Sequence, residues 1–241
     1  IRLVDVPVHR TYGAGQTLAF TVNYSGPVAV TGTPRLPLTI GSTTRYADYT
    51  TTGSTSTALR FLYTVQAGEL DLDGLEVGSA LDLNGGTIVE PSGWNAGTDV
   101  IGVDDCSGIK IDAVAPETTI TAQPNNPTAN TSATFVFSGN DSDSGVASFE
   151  ASLDGGAYAV VTSPASFTGL SDGGHTFAVR AIDAAGNVDA TPASYTWTVD
   201  TTAPDSPVIT SLSSTAIGGT AEPGATVEVF REGTSLGTTT A

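Results

Sequence analysis

The chain has 241 residues and a formal net charge of -17, from 25 acidic and 8 basic side chains. Nucleic acids and anionic membrane surfaces are bound mainly through Lys and Arg, so this charge balance argues against both as partners. The length suits two β-sandwich domains of roughly 100 residues each, with a remainder.

The sequence also limits disulfides and membrane spans. Cys106 is the single cysteine, so no intramolecular disulfide can form, and we interpret it as a bystander thiol. No apolar run approaches the roughly 18 residues that a membrane-spanning helix needs, and no segment resembles a signal peptide. Because the sequence neither begins with Met nor contains one, we expect an internal piece of a longer protein.

Strands are predicted along the whole chain by alternation of apolar and polar residues. The clearest examples, in chain order, are QTLAFTVNY (16–24), ALRFLYTV (58–65), ATFVFSG (133–139), HTFAVRAID (175–183) and SYTWTVD (194–200). Clusters of Gly, Asn, Asp, Ser and Pro separate these runs, and DGG at 154–156 and 172–174 predicts tight turns. No helical periodicity and no crossover segments occur, so we predict an all-β antiparallel sandwich or barrel.

A repeated linker motif predicts the domain limits. Asp112–Pro116 reads DAVAP and Asp200–Pro204 reads DTTAP, 88 residues later (200 minus 112). Each copy follows a predicted closing strand and precedes a new one, as in tandem arrays. We therefore predict domains at 1–112 and 113–203, with an incomplete third domain at 204–241.

Three segments resemble bacterial Ig-like repeats of large extracellular surface proteins and adhesins. In the second domain the resemblance rests on FSGNDSDSGVASFEASLDGGAY and the stretch from TSPASFTGL to TWTVDTTAP. The first domain, with TYGAGQTLAFTVNY and GSALDLNGGTI, and the remainder, with GGTAEPGATVEVF, are similar to two further repeat types. The resemblance implies tandem immunoglobulin-like antiparallel β-sandwiches, often calcium-bound. Where many relatives carry a cysteine pair, this chain has Ala151 and Val161.

Calcium is the cofactor that the acidic loops suggest, as a structural ion, because it prefers carboxylate and carbonyl oxygens. In an EF-hand alignment Glu69, Asp71 and Asp73 take ligand positions, but Ala80 replaces the final bidentate carboxylate, so we interpret this segment as a solvated acidic turn. The loop NDSDSG (140–145) likewise lacks a downstream acidic ligand, and we interpret it as a structural turn.

The domain junctions are the remaining metal candidates. Consecutive antiparallel strands place the loop after HTFAVRAI and Asp200 at opposite ends of a sandwich. We therefore predict one site from Asp200 with Asp205. A second site would combine Asp112 with Glu117, Asp104 or Asp105. Asp183 and Asn187 are instead predicted to cap their own turn.

No catalytic constellation is found, and we predict that this chain is not an enzyme. His9 and His175 are interpreted as structural or surface residues, and GTSLG (233–237) as a hairpin turn, since strand-like segments flank it. Trp197 alternates with Tyr195 and Val199, which predicts core burial. Trp94 lies in a loop, where exposure is expected.

The functional hypothesis is a structural spacer, a stalk of a large secreted or cell-surface adhesin-like protein that supports cell adhesion. Its partners would be neighbouring Ig-like repeats of the same chain, and its location extracellular. Two alternatives stay open at this stage: a module that binds a glycan or a surface protein directly, and an accessory region of a secreted enzyme.

Overall fold

The computed structural model describes residues 3–213 and 215–241, and strands form where apolar and polar residues alternate. The first predicted domain contains β1 (Leu3–Asp5), β2 (Arg10–Tyr12), β3 (Thr17–Asn23), β4 (Ala29–Thr31), β5 (Arg35–Ile40), β6 (Thr43–Thr50), β7 (Ala58–Thr64), β8 (Leu70–Asp71), β9 (Glu76–Val77), β10 (Thr87–Val89) and β11 (Ile109–Asp112). The second contains β12 (Glu117–Ala122), β13 (Ala133–Asn140), β14 (Val146–Leu153), β15 (Ala159–Val161), β16 (Ala165–Phe167), β17 (Gly173–Asp183) and β18 (Ala193–Val199). The third contains β19 (Val208–Leu212), β20 (Ile217–Thr220), β21 (Thr226–Arg231) and β22 (Thr234–Thr240).

The second predicted domain has the strand order of an immunoglobulin-like sandwich. One sheet has the order β12-β13-β16 and the other β15-β14-β17-β18, which is seven strands in two sheets. Phe135 on β13 stacks on Phe177 on β17, with ring centroids 4.1 Å apart, so residues of the two sheets interdigitate. The predicted fold class, all-β with immunoglobulin-like sandwiches, is confirmed.

The first predicted domain is built on a larger sheet. Its six-stranded sheet has the order β1-β3-β7-β6-β5-β9, and smaller sheets β10-β4 and β2-β11-β8 accompany it. Apolar side chains on alternating positions of β3, β5 and β7 form its buried core, namely Leu18, Phe20, Val22, Leu36, Leu38, Ile40, Leu59, Phe61 and Tyr63. The alternation read from the sequence thus places the core side chains of β3 and β7 correctly.

The pair β2–β11 is parallel, which departs from the prediction of an antiparallel fold. β11 pairs with β2 in parallel register, with Ile109 opposite Arg10 and Ile111 opposite Tyr12. The prediction rested on the absence of crossover segments, which parallel pairs need. These two strands lie about a hundred residues apart, so the whole intervening domain serves as the connection.

The third predicted domain consists of two hairpins. β19 pairs with β20 and β21 with β22, both antiparallel. GTSLG (233–237) lies in the second hairpin, where Glu232 and Gly233 have φ values of 51° and 82°. These left-handed values close a tight turn, which confirms the hairpin interpretation of that motif.

By contact density the chain divides into two compact units. One comprises Ile1–Gln123, Thr134–Ser166 and Thr176–Thr196, and the other Pro124–Ala133, Phe167–His175 and Trp197–Ala241. The first unit includes the junction between the first and second predicted domains. No helix with the length and hydrophobicity needed to cross a bilayer occurs in the described residues.

Candidate metal centre

The predicted junction residues occupy different environments. Asp112 ends β11 and is completely buried, whereas Glu117 begins β12 and is exposed. Asp105 lies in the exposed loop before β11 and accepts hydrogen bonds from the backbone N and Oγ of Ser107, both at 2.9 Å. These bonds, together with the charge of His9, lower the pKa of Asp105. Asp105 is therefore held by its own loop.

Asp112 meets two aspartates that the sequence analysis had assigned to turns. One carboxylate oxygen from each of Asp112, Asp141 and Asp183 lies within 4.8 Å of the others. This is the acidic cluster of the described residues, and Glu117, Asp104 and Asp105 are not part of it. Of the predicted residues at this junction, only Asp112 belongs to the cluster, and its acidic neighbours are Asp141 and Asp183. Calcium binding itself remains a prediction.

Strand register explains this convergence. Glu117 at the start of β12 pairs with Asn140 at the end of β13, so the linker after Asp112 lies beside the loop that begins at Asp141. Val146 at the start of β14 pairs with Asp183 at the end of β17. Both loops therefore lie at the end of the sandwich where the chain enters from the first domain.

Backbone amides hold Asp183 and Asp141 in place. Asp183 Oδ1 accepts hydrogen bonds from the amides of Gly186 (2.6 Å) and Asn187 (2.7 Å), which confirms its predicted role as a turn cap. Asp141 Oδ1 accepts three, from Asp143 (2.7 Å), Ser144 (3.0 Å) and Gly145 (3.2 Å). Each loop is thus wound around its own aspartate, which leaves the second oxygen of Asp141 free of these bonds.

Several buried oxygens at this place lack a hydrogen-bond partner. They are Asp112 Oδ2, Asp141 Oδ2 and Ser144 Oγ. Asp112 Oδ1 accepts one bond, from the backbone N of Val114 at 3.2 Å. Burial raises the pKa of Asp112, and the negative charges of Asp141 and Asp183 add to this rise. Ser144 lies near enough to oppose the rise in part, without forming a hydrogen bond of normal geometry.

Asn187 connects the first and second predicted domains beside the cluster. Its Nδ2 donates to Asp112 O (2.7 Å) and to Val114 O (3.3 Å), and its Oδ1 accepts from the backbone N of Ala14 (2.8 Å). Gln16 Nε2 adds a bond to Ala185 O at 3.0 Å. The turn after β17 therefore packs directly on a loop of the first domain, and this contact was not predicted from the sequence.

Gly13 permits this close approach. A Cβ at Gly13 would lie 2.7 Å from Ala185 O and 3.0 Å from Asn187 Oδ1. The first distance is shorter than real Cβ contacts, and the obstructing atom belongs to backbone. Any larger residue at this position would push the two domains apart.

Two acidic side chains of the EF-hand-like segment, Glu69 and Asp71, are buried, which corrects the predicted solvated turn at these positions. Glu69 is buried and accepts hydrogen bonds from Tyr63 Oη (2.6 Å), from the backbone N of Gln66 (2.9 Å) and from Arg45. Asp71 is also buried and accepts from the amides of Gly41 (2.8 Å) and Gly74 (3.0 Å). All four carboxylate oxygens of Glu69 and Asp71 have protein partners, and only Asp73 of the three predicted ligand positions is exposed, as the solvated-turn interpretation expects.

The second predicted site is exposed. Asp200 Oδ1 accepts a hydrogen bond from the amide of Thr202 at 3.0 Å, and every residue of Asp200–Pro204 is exposed. Asp205 lines a shallow open pocket with Glu222, and Asp200 is not among the residues of that pocket. Among the described residues, Asp200 and Asp205 form no acidic cluster like that around Asp112.

The other residues singled out from the sequence fall mainly in structural positions. Trp197 is fully buried, as predicted, and Trp94 is 77% exposed. His175 is buried, with Nε2 2.8 Å from Ser171 O, and its ring lies 5.5 Å from that of Trp197. Cys106 is half-buried, and burial, with the charges of Asp105 and Asp104, raises its pKa to about 11.

Comparison with known proteins adds fold relatives only. No family model matches the chain, and no curated protein matches it. Among solved structures, it resembles the fibronectin(III)-like modules of Clostridium thermocellum CbhA, with 17% identity and a TM-score of 0.37 over 81% of this chain and 93% of that one. It also resembles the PKD1 domain of Vibrio anguillarum Epp (16% identity, TM-score 0.29, 36% of this chain and 96% of that one). Chicken CNTN1 FN1–FN3 domains give 11% identity and a TM-score of 0.36 over 80% and 66% of the two chains.

The structures it resembles are fibronectin type III-like modules and a PKD domain. Identities and TM-scores this low carry no argument about what the chain binds. Its function has to be inferred from its own residues.

Proposed function

We propose that the chain is a structural spacer, part of the stalk of a large extracellular or cell-surface bacterial protein that supports adhesion. The partners of this region are the neighbouring Ig-like repeats of the same longer chain. A spacer has to hold its domains at a defined angle. The observation that carries the proposal is the Asn187 network, the three hydrogen bonds that the Asn187 side chain makes to Ala14, Asp112 and Val114 where the first two predicted domains meet.

The linker at this junction supports a fixed geometry. Ala113 is buried, its amide donates to Glu69 O at 2.8 Å, and its carbonyl accepts from the amide of Gly68 at 2.7 Å. Pro116 is also buried, and its fixed φ removes one further degree of freedom. A linker whose backbone is bonded into a domain core resists bending more than an exposed, unbonded one.

Charge is consistent with this role. The net charge of -17 keeps such a chain soluble and repels like copies of itself, which suits an extended array. Rigid sandwiches joined by short linkers with hydrogen-bonded backbones then keep the ends of the array at a fixed separation, a role that needs no catalytic site.

The proposal predicts a narrow distribution of distances between the first two domains. Spin labels are placed at Val8→Cys and Val160→Cys, both highly exposed positions, in a Cys106→Ser background, and the distance is measured by double electron–electron resonance. We expect one narrow peak for the parent chain. We expect a broader distribution for Asn187→Ala, because three junction hydrogen bonds are lost.

Asn125→Ala is the matched control, since Asn125 is exposed and is not part of the Asn187 network. It should leave the peak unchanged. A broad distribution already present in the parent chain would refute the spacer proposal.

A further inference from the structure

We propose that Asp112, Asp141 and Asp183 bind one calcium ion at the junction of the first two domains. The three carboxylates come from three separate segments: the end of β11, the loop after β13 and the end of β17. An acidic cluster alone does not make a site, because exposed carboxylates often gather without an ion. This cluster differs in its burial and in its unpartnered oxygens.

No positively charged side chain of the described residues compensates the charges at this place. Asp112 and Asp183 are buried, and no Lys or Arg of the described residues forms an ion pair with any of the three aspartates. Taking several like charges out of water is unfavourable unless a counter-charge accompanies them. A divalent cation would supply that counter-charge.

The unpartnered oxygens point to the same place. Asp112 has no exposed surface, yet its Oδ2 has no hydrogen-bond partner, and Asp141 Oδ2 and Ser144 Oγ share this condition. Buried polar atoms in native proteins are nearly always bonded, so three unbonded oxygens in one small volume need an explanation. Coordination of a cation satisfies them together.

Ligand chemistry selects a hard cation. All candidate ligands are oxygens, with no Cys or His in the cluster, which disfavours zinc and the softer transition metals. Mg²⁺ requires near-ideal octahedral geometry, whereas Ca²⁺ accepts six to eight oxygens in a flexible arrangement. The three carboxylates come from strand ends and a loop of different segments, which suits the more adaptable coordination of calcium.

The ion would connect both domains. Asp112 belongs to the last strand of the first domain, whereas Asp141 and Asp183 belong to loops of the second. A cation shared by these residues adds to the Asn187 contact and limits hinge motion. This stiffening role rests on the proposed spacer function, but calcium binding itself does not.

The test uses the complete 241-residue chain, stripped of metal with a chelator and titrated with CaCl₂ in a calorimeter. We expect saturable binding and, at about a hundredfold excess of free calcium over Kd, a Tm raised by about 5–10 °C. Asp112→Asn and Asp141→Asn should each abolish this shift while melting cooperatively in chelator. Asp172→Asn, at an exposed aspartate outside the cluster, should retain it.

Three results would overturn the calcium site. They are an unchanged melting curve in chelator and calcium, a calcium shift that persists in the Asp112→Asn, Asp141→Asn double variant, and an equal response to MgCl₂. If Asp112→Asn fails to fold, the half-buried Asp141→Asn decides the question alone. Repeating the spin-label measurement in chelator separates the two proposals. A narrow distance distribution in a chain that binds no calcium would support the spacer and refute the calcium site. Calcium binding in a chain with a broad distance distribution would support the calcium site and refute the spacer.

Discussion

One buried tyrosine, Tyr63, and one half-buried tyrosine, Tyr24, make the first predicted domain sensitive to alkaline pH. Tyr63 donates a hydrogen bond to Glu69 Oε1 at 2.6 Å, and Tyr24 donates to Gly97 O at 3.2 Å. Burial raises the pKa of Tyr24 to about 12, and burial together with the Glu69 contact raises that of Tyr63 further. At the residue scale, these phenols are therefore stabilised in their neutral form by folding.

The sign of the pH dependence follows from linkage. A group whose pKa is raised by folding contributes stability that is complete below its unfolded pKa of about 10, and that is lost as pH rises toward the folded value. We predict that the urea midpoint falls between about pH 10 and pH 12, and that Tyr24→Phe and Tyr63→Phe each reduce this fall. Denaturant unfolding followed across this pH range measures it.

Tyr46→Phe is the control, since Tyr46 is exposed and its substitution should leave the pH profile unchanged. The interpretation fails if all three variants show the same alkaline slope as the parent chain.

At the scale of elements, glycine is required where two segments of backbone lie too close together for a Cβ atom to fit between them. The pair β4–β10 is only three residues long, with Thr31 opposite Thr87 and Val30 opposite Ile88. A Cβ at Gly86 would lie 2.2 Å from Thr31 O, whereas a Cβ at Gly97 would meet nothing within 4 Å. The first glycine is thus required by packing, and the second is not.

We predict that Gly86→Ala destabilises the chain by about 1–3 kcal/mol, because backbone must shift to relieve the overlap. Gly97→Ala should change the free energy of unfolding by less than about 0.5 kcal/mol. Denaturant unfolding gives both values, and amide exchange at Thr87, whose N donates to Thr31 Oγ1 at 3.1 Å, reports whether the β4–β10 pair opens. Equal effects from the two substitutions would contradict the steric explanation.

At the scale of the whole molecule, the two copies of the Asp-x-x-Ala-Pro motif have opposite burial. Asp112 and Asp200 each accept a hydrogen bond from the amide two residues later, so the local turn is the same. Asp112 is fully buried, while Asp200 and the residues through Pro204 are exposed. Local sequence therefore sets the turn, and packing of the following domain sets the burial.

The third predicted domain leaves large apolar side chains exposed to solvent. Val208, Ile209, Leu212, Phe230 and Leu236 are between 59% and 75% exposed. Two hairpins without a packed core open easily, since an isolated hairpin is marginal in water. We predict that thermolysin, which cleaves before large apolar residues, cuts within 204–241 well before it cuts within 3–200.

Mass spectrometry of a timed digest locates the cuts. The stable product should end shortly after Pro204 and should melt like the parent chain. First cuts in the core strands β3 or β7 would show that the first domain is the weaker part.

The fold class, the main strands and several single residues were predictable because they depend on neighbours along the chain. Alternation in β3, β7 and β17 set which faces are buried, and the same alternation marked Trp197 as a core residue. The left-handed turn at Asp154 and Gly155 and the acceptor role of Asp183 are equally local. The second DGG differs from its prediction, because β17 begins at Gly173 and Asp172 accepts a hydrogen bond from Thr201. Side-chain period and turn chemistry are properties of a few consecutive residues, so the sequence determined them by itself.

Only the tertiary structure decided which acidic residues meet. Asp112, Asp141 and Asp183 are separated by 29 and 42 residues, and they converge because β12 pairs with β13 and β14 with β17 in a particular register. The antiparallel strand order predicts only that the loop after β17 and Asp200 lie at opposite ends of the sandwich, and no sequence pattern relates that loop to Asp112. Strand pairing between distant segments brings these loops to one end, and no local pattern records it.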